Sequence, residues 1–385
     1  MQKTSLFSLL ILLLFSCENP NNGGQSSKNS LDKPKDFYKV AADGETTPVP
    51  HVGDAADDPV LYVNVTDPDN SIIYGSDKKG GIGSYRLNGK QILFQELGKI
   101  NNIDIRYNFP INKTEKIDIL AASNISDSTF RIYRINPNTS ELTDISSRKF
   151  TTKLDKVYGL CLYQSPVSGN YFVFVNSKKG DVEQWELFHQ PDTEDRIDAR
   201  LVRTLTIHSS CEGMVADDSN AFLYVAEENS GIWKFLAEPE EASEQELIIS
   251  IQENYLKADI EGLTIFYAKD DEGYLIASSQ GNHSYAVFER KTPHTYLGSF
   301  VIDKSDNIQG THFTDGIYVT GFSLGVKYPY GIFIAQDGGM KYKKGNTHQN
   351  FKLVDWKKIA ETFDPPLIID PKYNPYMLQE EAAAE

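Results

Sequence analysis

Cysteine is scarce in this 385-residue chain, which has three copies, Cys17, Cys161 and Cys211. That count excludes a disulfide-rich scaffold and a structural zinc cluster built on thiolates. Histidine is scarce too, at seven. No histidine follows an arginine and no His-Glu-x-x-His occurs, so neither a phosphohistidine loop nor a zincin helix is present. Neither Cys161 nor Cys211 opens a Cys-x5-Arg phosphate cradle. The stretch from Gly83 to Lys90 lacks P-loop spacing and is followed by Gln91 where Ser or Thr is required.

Positive charge is in deficit. With 38 basic against 54 acidic residues the formal charge is −16. Such a surface repels nucleic acid and anionic lipid, so neither is expected as a partner. It also repels a polyanionic ligand unless bound cations intervene. Membrane-spanning runs are missing as well. The apolar stretch Leu6–Phe15, preceded by Lys3, is too short for a stable span and reads as a processing segment. It ends Leu14-Phe15-Ser16-Cys17, the pattern of a bacterial lipobox. Residues 1–16 are therefore expected to be a lipoprotein signal peptide, and Cys17 the lipidated residue. Residues 17–38, rich in Gly, Ser and Asn, read as a flexible tether. The protein is expected at the bacterial cell envelope, a monomer touching membrane only through its N-terminal lipid. Cys161 and Cys211 fall in separate repeats and read as buried free thiols.

Helical periodicity is nearly absent beyond residue 40. Short apolar runs are punctuated by Gly, Asn, Asp and Pro instead, and 21 Tyr and 20 Phe favour strands. An element made of a polar residue, a small or apolar one and a strand recurs at Asp58, Asn102, Tyr158, Glu212, Glu261 and Asp315, with spacings of 44, 56, 54, 49 and 54. A second element, a strand closing on a polar turn, recurs at Lys78, Asn124, Lys178, Glu228, Gln280 and Asp337. Six copies of a unit of this length predict an all-β fold, a six-bladed β-propeller over residues 39–363. A short helix is expected near Trp356–Phe363, and residues 364–385 are expected as a tail outside the core.

Equivalent positions of propeller blades share one face. The two series therefore predict concentric rings of oxygen ligands with lysines between them. Asp57, Asp58, Glu212, Glu228, Asp259, Glu261 and Asp315 would converge, and so many carboxylates repel one another unless cations neutralise them. Hard oxygen donors suit several calcium ions and not zinc or copper. Lys78-Lys79-Gly80 and Lys178-Lys179-Gly180 follow equivalent strands. Lysine beside calcium on an acidic rim suits a phosphorylated ligand.

The pieces Asp54-Ala55-Ala56-Asp57-Asp58-Pro59, Asn101-Asn102-Ile103-Asp104-Ile105-Arg106-Tyr107, Val157-Tyr158-Gly159, Glu212-Gly213-Met214, Asp259-Ile260-Glu261-Gly262-Leu263 and Ser278-Ser279-Gln280-Gly281-Asn282 occur in this order. They resemble the β-propeller phytases, alkaline calcium-dependent 3-phytases, over about residues 40–360. The resemblance implies that Glu45, Asp57, Asp58, Tyr158, Glu212, Glu228, Asp259, Glu261, Gln280 and Asp315 hold calcium, with Ile103 lending its carbonyl. It implies that Lys78, Lys79 and Lys178 hold phosphates, and that Tyr158, Glu212, Lys78 and Lys178 form the catalytic set. The implied reaction is stepwise hydrolysis of calcium phytate and lower inositol phosphates by attack of a calcium-bound water. Three departures stand out. Ile125 replaces an arginine that clamps phosphate, which implies weaker binding. Gln309-Gly310-Thr311-His312-Phe313-Thr314-Asp315-Gly316 and Asp337-Gly338-Gly339-Met340 lack ligands of a calcium that stabilises the family's fold. A surface propeller that binds calcium and phosphate without turnover, and a sugar-lactone hydrolase, are the alternatives; the latter leaves the paired lysine turns unexplained.

Overall fold

The alternation of short β-branched and aromatic runs with Gly- and Asp-rich turns produces six antiparallel sheets. A computed structural model describes residues 37–376 apart from 191–192, 194, 241–243 and 340–347. The leader, Cys17 and nearly all of the tether lie outside the described residues.

Each sheet is one blade of a propeller, built from consecutive strands. The first comprises Ala56–Tyr62, Ile72–Asp77, Gly81–Arg86 and Gln91–Glu96. The innermost strands of the next four blades are Ile100–Pro110, Leu160–Gln164, Cys211–Asp217 and Ile260–Tyr267. The sixth has three strands of its own, Ile317–Thr320, Ile332–Asp337 and Asn350–Asp355. Its fourth comes from the other end of the chain. Gly44–Glu45 pairs antiparallel with it, Gly44 opposite Leu353 and Glu45 opposite Lys352. Tyr38–Ala41 adds a parallel strand to the outer edge of the fifth blade, at Phe300–Asp303. The N-terminal segment thus covers two edges and closes the ring, removing the open edges that invite aggregation.

Between blades the inward faces pack as continuous apolar clusters, for example Ile73, Tyr74, Ile105 and Leu120 between the first and second. Cys161 and Cys211 are buried free thiols, as expected. The helix forms over Trp356–Ala360, where Asp355 caps it by accepting from Lys357 N at 2.8 Å.

The expectation that the chain leaves the core after residue 363 fails as far as Tyr376. Leu367 joins the cluster around Trp356, Val354 and Phe363. Trp356 Nε1 donates to Ile368 O at 2.9 Å, and Ile368 N donates to Tyr274 Oη at 2.7 Å. Tyr373 stacks on Tyr267 with centroids 5.4 Å apart, and Tyr376 lies 4.2 Å from Tyr107 while donating to Asp118 Oδ2 at 2.6 Å. The physical reason is aromatic surface. Tyr107 and Tyr267 stand at the channel end away from Asp58 and Glu261, and they need a partner there. The tail supplies it, and Tyr373 and Pro375 line the cavity within the channel.

Candidate active site

The recurring polar-Gly-apolar element has a local cause. The strand registers slip between Ala56 and Pro59, Ile100 and Ile103, Cys211 and Met214, and Ile260 and Leu263, a bulge at the same place in four blades. Each bulge turns the polar residue beside it toward the channel instead of into a blade-to-blade seam. The glycine next to it admits the neighbouring backbone. A Cβ on Gly159 would stand 1.9 Å from the Glu212 carbonyl oxygen, and one on Gly213 2.0 Å from that of Glu261. Successive blades thereby stack their ring residues directly on one another.

The resulting mouth is lined by Asp54, Lys78, Tyr158, Lys178, Glu212, Asp259, Glu261, Gln280, Phe313, Asp315 and Gln349. Lys78 Nζ lies 2.8 Å from Asp54 Oδ1, 3.0 Å from Asp57 Oδ1 and 3.0 Å from Asp315 Oδ2. Burial works against its charge, but Asp315, Asp57 and Asp54 outweigh it and raise its pKa. Asp315 also accepts from Gln280 Nε2 at 2.7 Å. Across the mouth, Lys178 Nζ is 3.3 Å from Glu228 Oε1 and 3.5 Å from Glu212 Oε2, and stands 4.2 Å from the centre of the Tyr158 ring. Burial and Glu212 push the Tyr158 hydroxyl up to about 12, so it stays protonated at neutral pH.

The carboxylates beneath are starved of partners. Asp57 is 1% exposed; its Oδ1 has only the ion pair with Lys78, and its Oδ2 has no hydrogen-bond partner. Glu261 Oε2 is likewise buried and bare. Burial raises both groups well above the usual carboxylate range; Lys78 opposes the shift at Asp57, and Glu212 adds to it at Glu261. Glu212 is raised as well, by burial against the pull of Lys178 and Lys78. Ligand oxygens of Glu212, Glu228 and Glu261 lie within 4.8 Å of one another, close enough for one cation. Asp58 and Ile103 sit one layer deeper and line the channel, with Ile103 N donating to Asp58 Oδ2 at 3.0 Å.

Two expected residues stand elsewhere. Glu45 is held by Asn350 Nδ2 at 3.2 Å and by Lys352 Nζ, on the sixth blade. The Lys79 ammonium donates to the Val52 carbonyl, away from the mouth. Other contributors were missed. Asp54, the first of the three clustered aspartates, contacts Lys78 directly. Asn101 Nδ2 donates to Glu212 Oε1 at 2.7 Å and fixes that carboxylate. Gln349 Oε1 accepts from Ala55 N and Ala56 N at 2.7 and 2.9 Å, pinning the aspartate loop from 294 residues away. The first carried a signal in its spacing and the second in its place beside Asn102; Gln349 carries none. One spacing is misleading: Gly321-Phe322-Ser323-Leu324-Gly325 matches a nucleophile elbow, yet it joins two strands and no helix follows it.

The donor set answers whether a cation fits. Carboxylates and two amides, Gln280 and Gln349, face the mouth, and among the described residues no thiol or imidazole lines it. That chemistry suits a hard ion of six to eight oxygen ligands, and the bare Asp57 Oδ2 and Glu261 Oε2 are groups such an ion satisfies. Oxygen donors for a cation interleaved with two lysines for an anion, in the mouth of a closed six-bladed propeller, fit a phosphoric monoester hydrolase of the β-propeller class. The family model for phytase matches residues 3–381, and the chain belongs to the phytase family. The 3-phytase of Bacillus subtilis (strain 168) is 43% identical to it over 347 residues, 89% of this chain and 90% of the relative.

Proposed function

We propose that this enzyme removes phosphate groups stepwise from phytate, myo-inositol hexakisphosphate, in a calcium-dependent reaction. The observation that carries the reading is one mouth in which buried, unsatisfied carboxylates adjoin two lysines. Asp57, Glu212, Glu228, Asp259, Glu261, Gln280 and Asp315 would hold the calcium. When bound, it supplies charge neutralisation and a Lewis acid that lowers the pKa of ligated water. Lys78 and Lys178 grip oxygens of the phosphate being cleaved and turn its phosphorus toward the carboxylates. Glu212, fixed by Asn101 on one oxygen and raised in pKa by burial, is placed to accept a proton from the attacking water. Tyr158, protonated at neutral pH, keeps a donor for a phosphate oxygen.

The test is phosphate release from phytate with calcium added and then chelated. Release that requires calcium and falls at least a hundredfold in Glu212→Gln supports the reading, a loss on the order of 3 kcal/mol of barrier. Calcium binding without release at any pH would instead favour a binding propeller. We also propose that the enzyme is anchored to the cell envelope through a lipid on Cys17, supported by the run Leu14-Phe15-Ser16-Cys17 and the polar tether after it. Partitioning of the full chain into detergent, lost in Cys17→Ser, checks that proposal.

A further inference from the structure

Lys78 and Lys178 stand in equivalent turns of the first and third blades, yet they are held differently. In the third blade Ser177 Oγ accepts from Lys179 N at 3.2 Å, and the Lys178 side chain stays 45% exposed. In the first blade the matching residue is Asp77, wholly buried, and the Lys78 side chain is 13% exposed. Asp77 Oδ1 accepts from Lys79 N at 2.8 Å, as the serine does. Its second oxygen has no counterpart in Ser177. That oxygen takes His51, whose Nδ1 donates to Oδ2 at 2.9 Å and whose backbone N lies 3.4 Å from the same atom. A carboxylate oxygen only accepts, so Nδ1 is the nitrogen that carries the hydrogen.

These bonds start a clasp between residues 51–55 and the turn 77–80. The Lys79 ammonium donates to Val52 O, the Lys78 ammonium meets Asp54 Oδ1 at 2.8 Å, and Lys78 N donates to Ala55 O at 2.7 Å. The His51 ring lies against Gly80, where a Cβ would come within 2.3 Å of its Cε1. Gln349 holds the inner end of the loop at Ala55 and Ala56, and His51 holds the outer end, with Asp54 between them. A half-exposed histidine is ordinarily a surface group of little consequence. This one is bonded to a buried carboxylate whose next residue in the chain is Lys78. The clasp thus fixes both the backbone from which Lys78 rises and the carboxylate that aims its ammonium, and a lysine so held has less rotamer freedom left to lose.

Resting on the phosphatase reading above for the substrate, we infer that His51 is a positioning residue for Lys78. Through Asp77 it holds the loop on the turn, so that Lys78 meets the phosphate already in place while the freer Lys178 adjusts to it. His51 does not line the mouth, and it acts only through Asp77 and the loop.

The test is steady-state hydrolysis of phytate by the calcium-loaded enzyme and by its His51→Ala, His51→Asn and Asp77→Ser variants. Loss of one such hydrogen bond should raise KM roughly fivefold in His51→Ala. The change in kcat should be smaller, because Lys78 grips phosphate before cleavage as well as during it. Asparagine sets an amide N–H near the place of Nδ1, so His51→Asn should recover most of the loss. Asp77→Ser copies the third-blade turn and should match His51→Ala, and the double variant should be no worse than either alone. An unchanged KM in His51→Ala, a loss that asparagine does not recover, or additive effects in the double variant overturn the inference. A melting temperature that falls while KM stays put marks a structural contact only and overturns it too. Hydrogen exchange at Lys78 N separates the clasp from the reading beneath it. An unaltered protein that releases no phosphate, with exchange at Lys78 N faster in His51→Ala, keeps the clasp and sinks the hydrolase. An enzyme that hydrolyses phytate, with KM and exchange unaltered in His51→Ala, sinks the inference alone.

Discussion

Lys78 and Asp315 stand 237 positions apart in the chain, and their Nζ and Oδ2 atoms meet at 3.0 Å where the sixth blade returns to the first. Gly316 N donates to Asp57 O at 3.0 Å across the same seam. The ammonium is thus the internal counter-ion of Asp54, Asp57 and Asp315, set where a divalent cation would compete for the same oxygens. Lys78→Met strips that charge from a mostly buried cluster, so without calcium it should cost about 3–5 kcal/mol. Added calcium should recover most of the loss, since the freed carboxylates become better ligands. Denaturant midpoints in chelator and in calcium check this; equal losses in both would show that Lys78 and calcium do not share these oxygens.

Acid should stabilise the metal-free protein. Burial raises the pKa of Asp57, Glu212 and Glu261 above their ordinary values of 3.8, 4.5 and 4.5, with the lysines opposing at Asp57 and Glu212. The folded state then binds protons more tightly than the unfolded chain. Their contribution is complete below those ordinary values and is lost as pH rises through the raised folded ones. In chelator, the melting temperature should fall as pH rises above the ordinary carboxylate range and through the raised folded values. Calcium should flatten that slope by satisfying the ionised forms. A melting temperature that climbs with pH in chelator contradicts the assignment.

The tail should behave as part of the fold. Tyr373 and Tyr376 give their rings to Tyr267 and Tyr107, and Tyr376 gives its hydroxyl to Asp118. Losing a partly buried aromatic side chain of this kind is worth about 1–3 kcal/mol. Tyr373→Ala should lower the melting temperature by several degrees, and ending the chain at Phe363 should lower it further. Calorimetry on the two variants decides. A truncated protein that melts with the full-length one would mean that the tail adds nothing to stability.

How much of this was readable beforehand follows from what each feature leaves in the sequence. The propeller repeats a strand pattern, and repetition is visible along a chain, so the blades and both rings were legible. Lys78, Tyr158, Lys178, Glu212, Glu261 and Asp315 were placed together because each holds an equivalent position in its own copy. The ring closure was not legible. Gly44–Glu45 is a two-residue strand whose partner, Asn350–Asp355, lies at the far end of the chain. The bulges were hidden too, since a register slip changes no residue identity. Asn101 stands beside the ring residue Asn102, but its hydrogen bond to Glu212 is not visible in the repeat, and Gln349 acts from outside the repeat pattern with nothing in its local sequence to mark it. The tail was misread because its tyrosines, spaced between prolines and charges, have no periodicity until Tyr107 and Tyr267 are seen waiting for them.

The sixth blade offers the sharpest contrast with the mouth. Asp337 is 6% exposed, like Asp57 in its burial and unlike it in its company. Its Oδ1 accepts from His312 N at 3.0 Å and Gly339 N at 2.9 Å, and its Oδ2 lies 3.2 Å from Lys352 Nζ. Lys352, 3% exposed at its side chain, also bonds Asn350 Oδ1 at 3.0 Å and pairs with Glu45. A carboxylate with both oxygens engaged gains little from a cation, whereas Asp57 and Glu261, each with one buried oxygen left bare, gain more. Asp337→Asn should therefore destabilise the protein by about 3 kcal/mol, because it leaves a buried ammonium short of one partner. It should do so equally in calcium and in chelator. Glu261→Gln should instead stabilise the metal-free protein and shrink the rise in melting temperature that calcium produces. Melting curves of the two variants, each with and without calcium, decide the matter. A calcium-dependent rise that disappears in Asp337→Asn and survives in Glu261→Gln would move the stabilising ion from the mouth to the sixth blade.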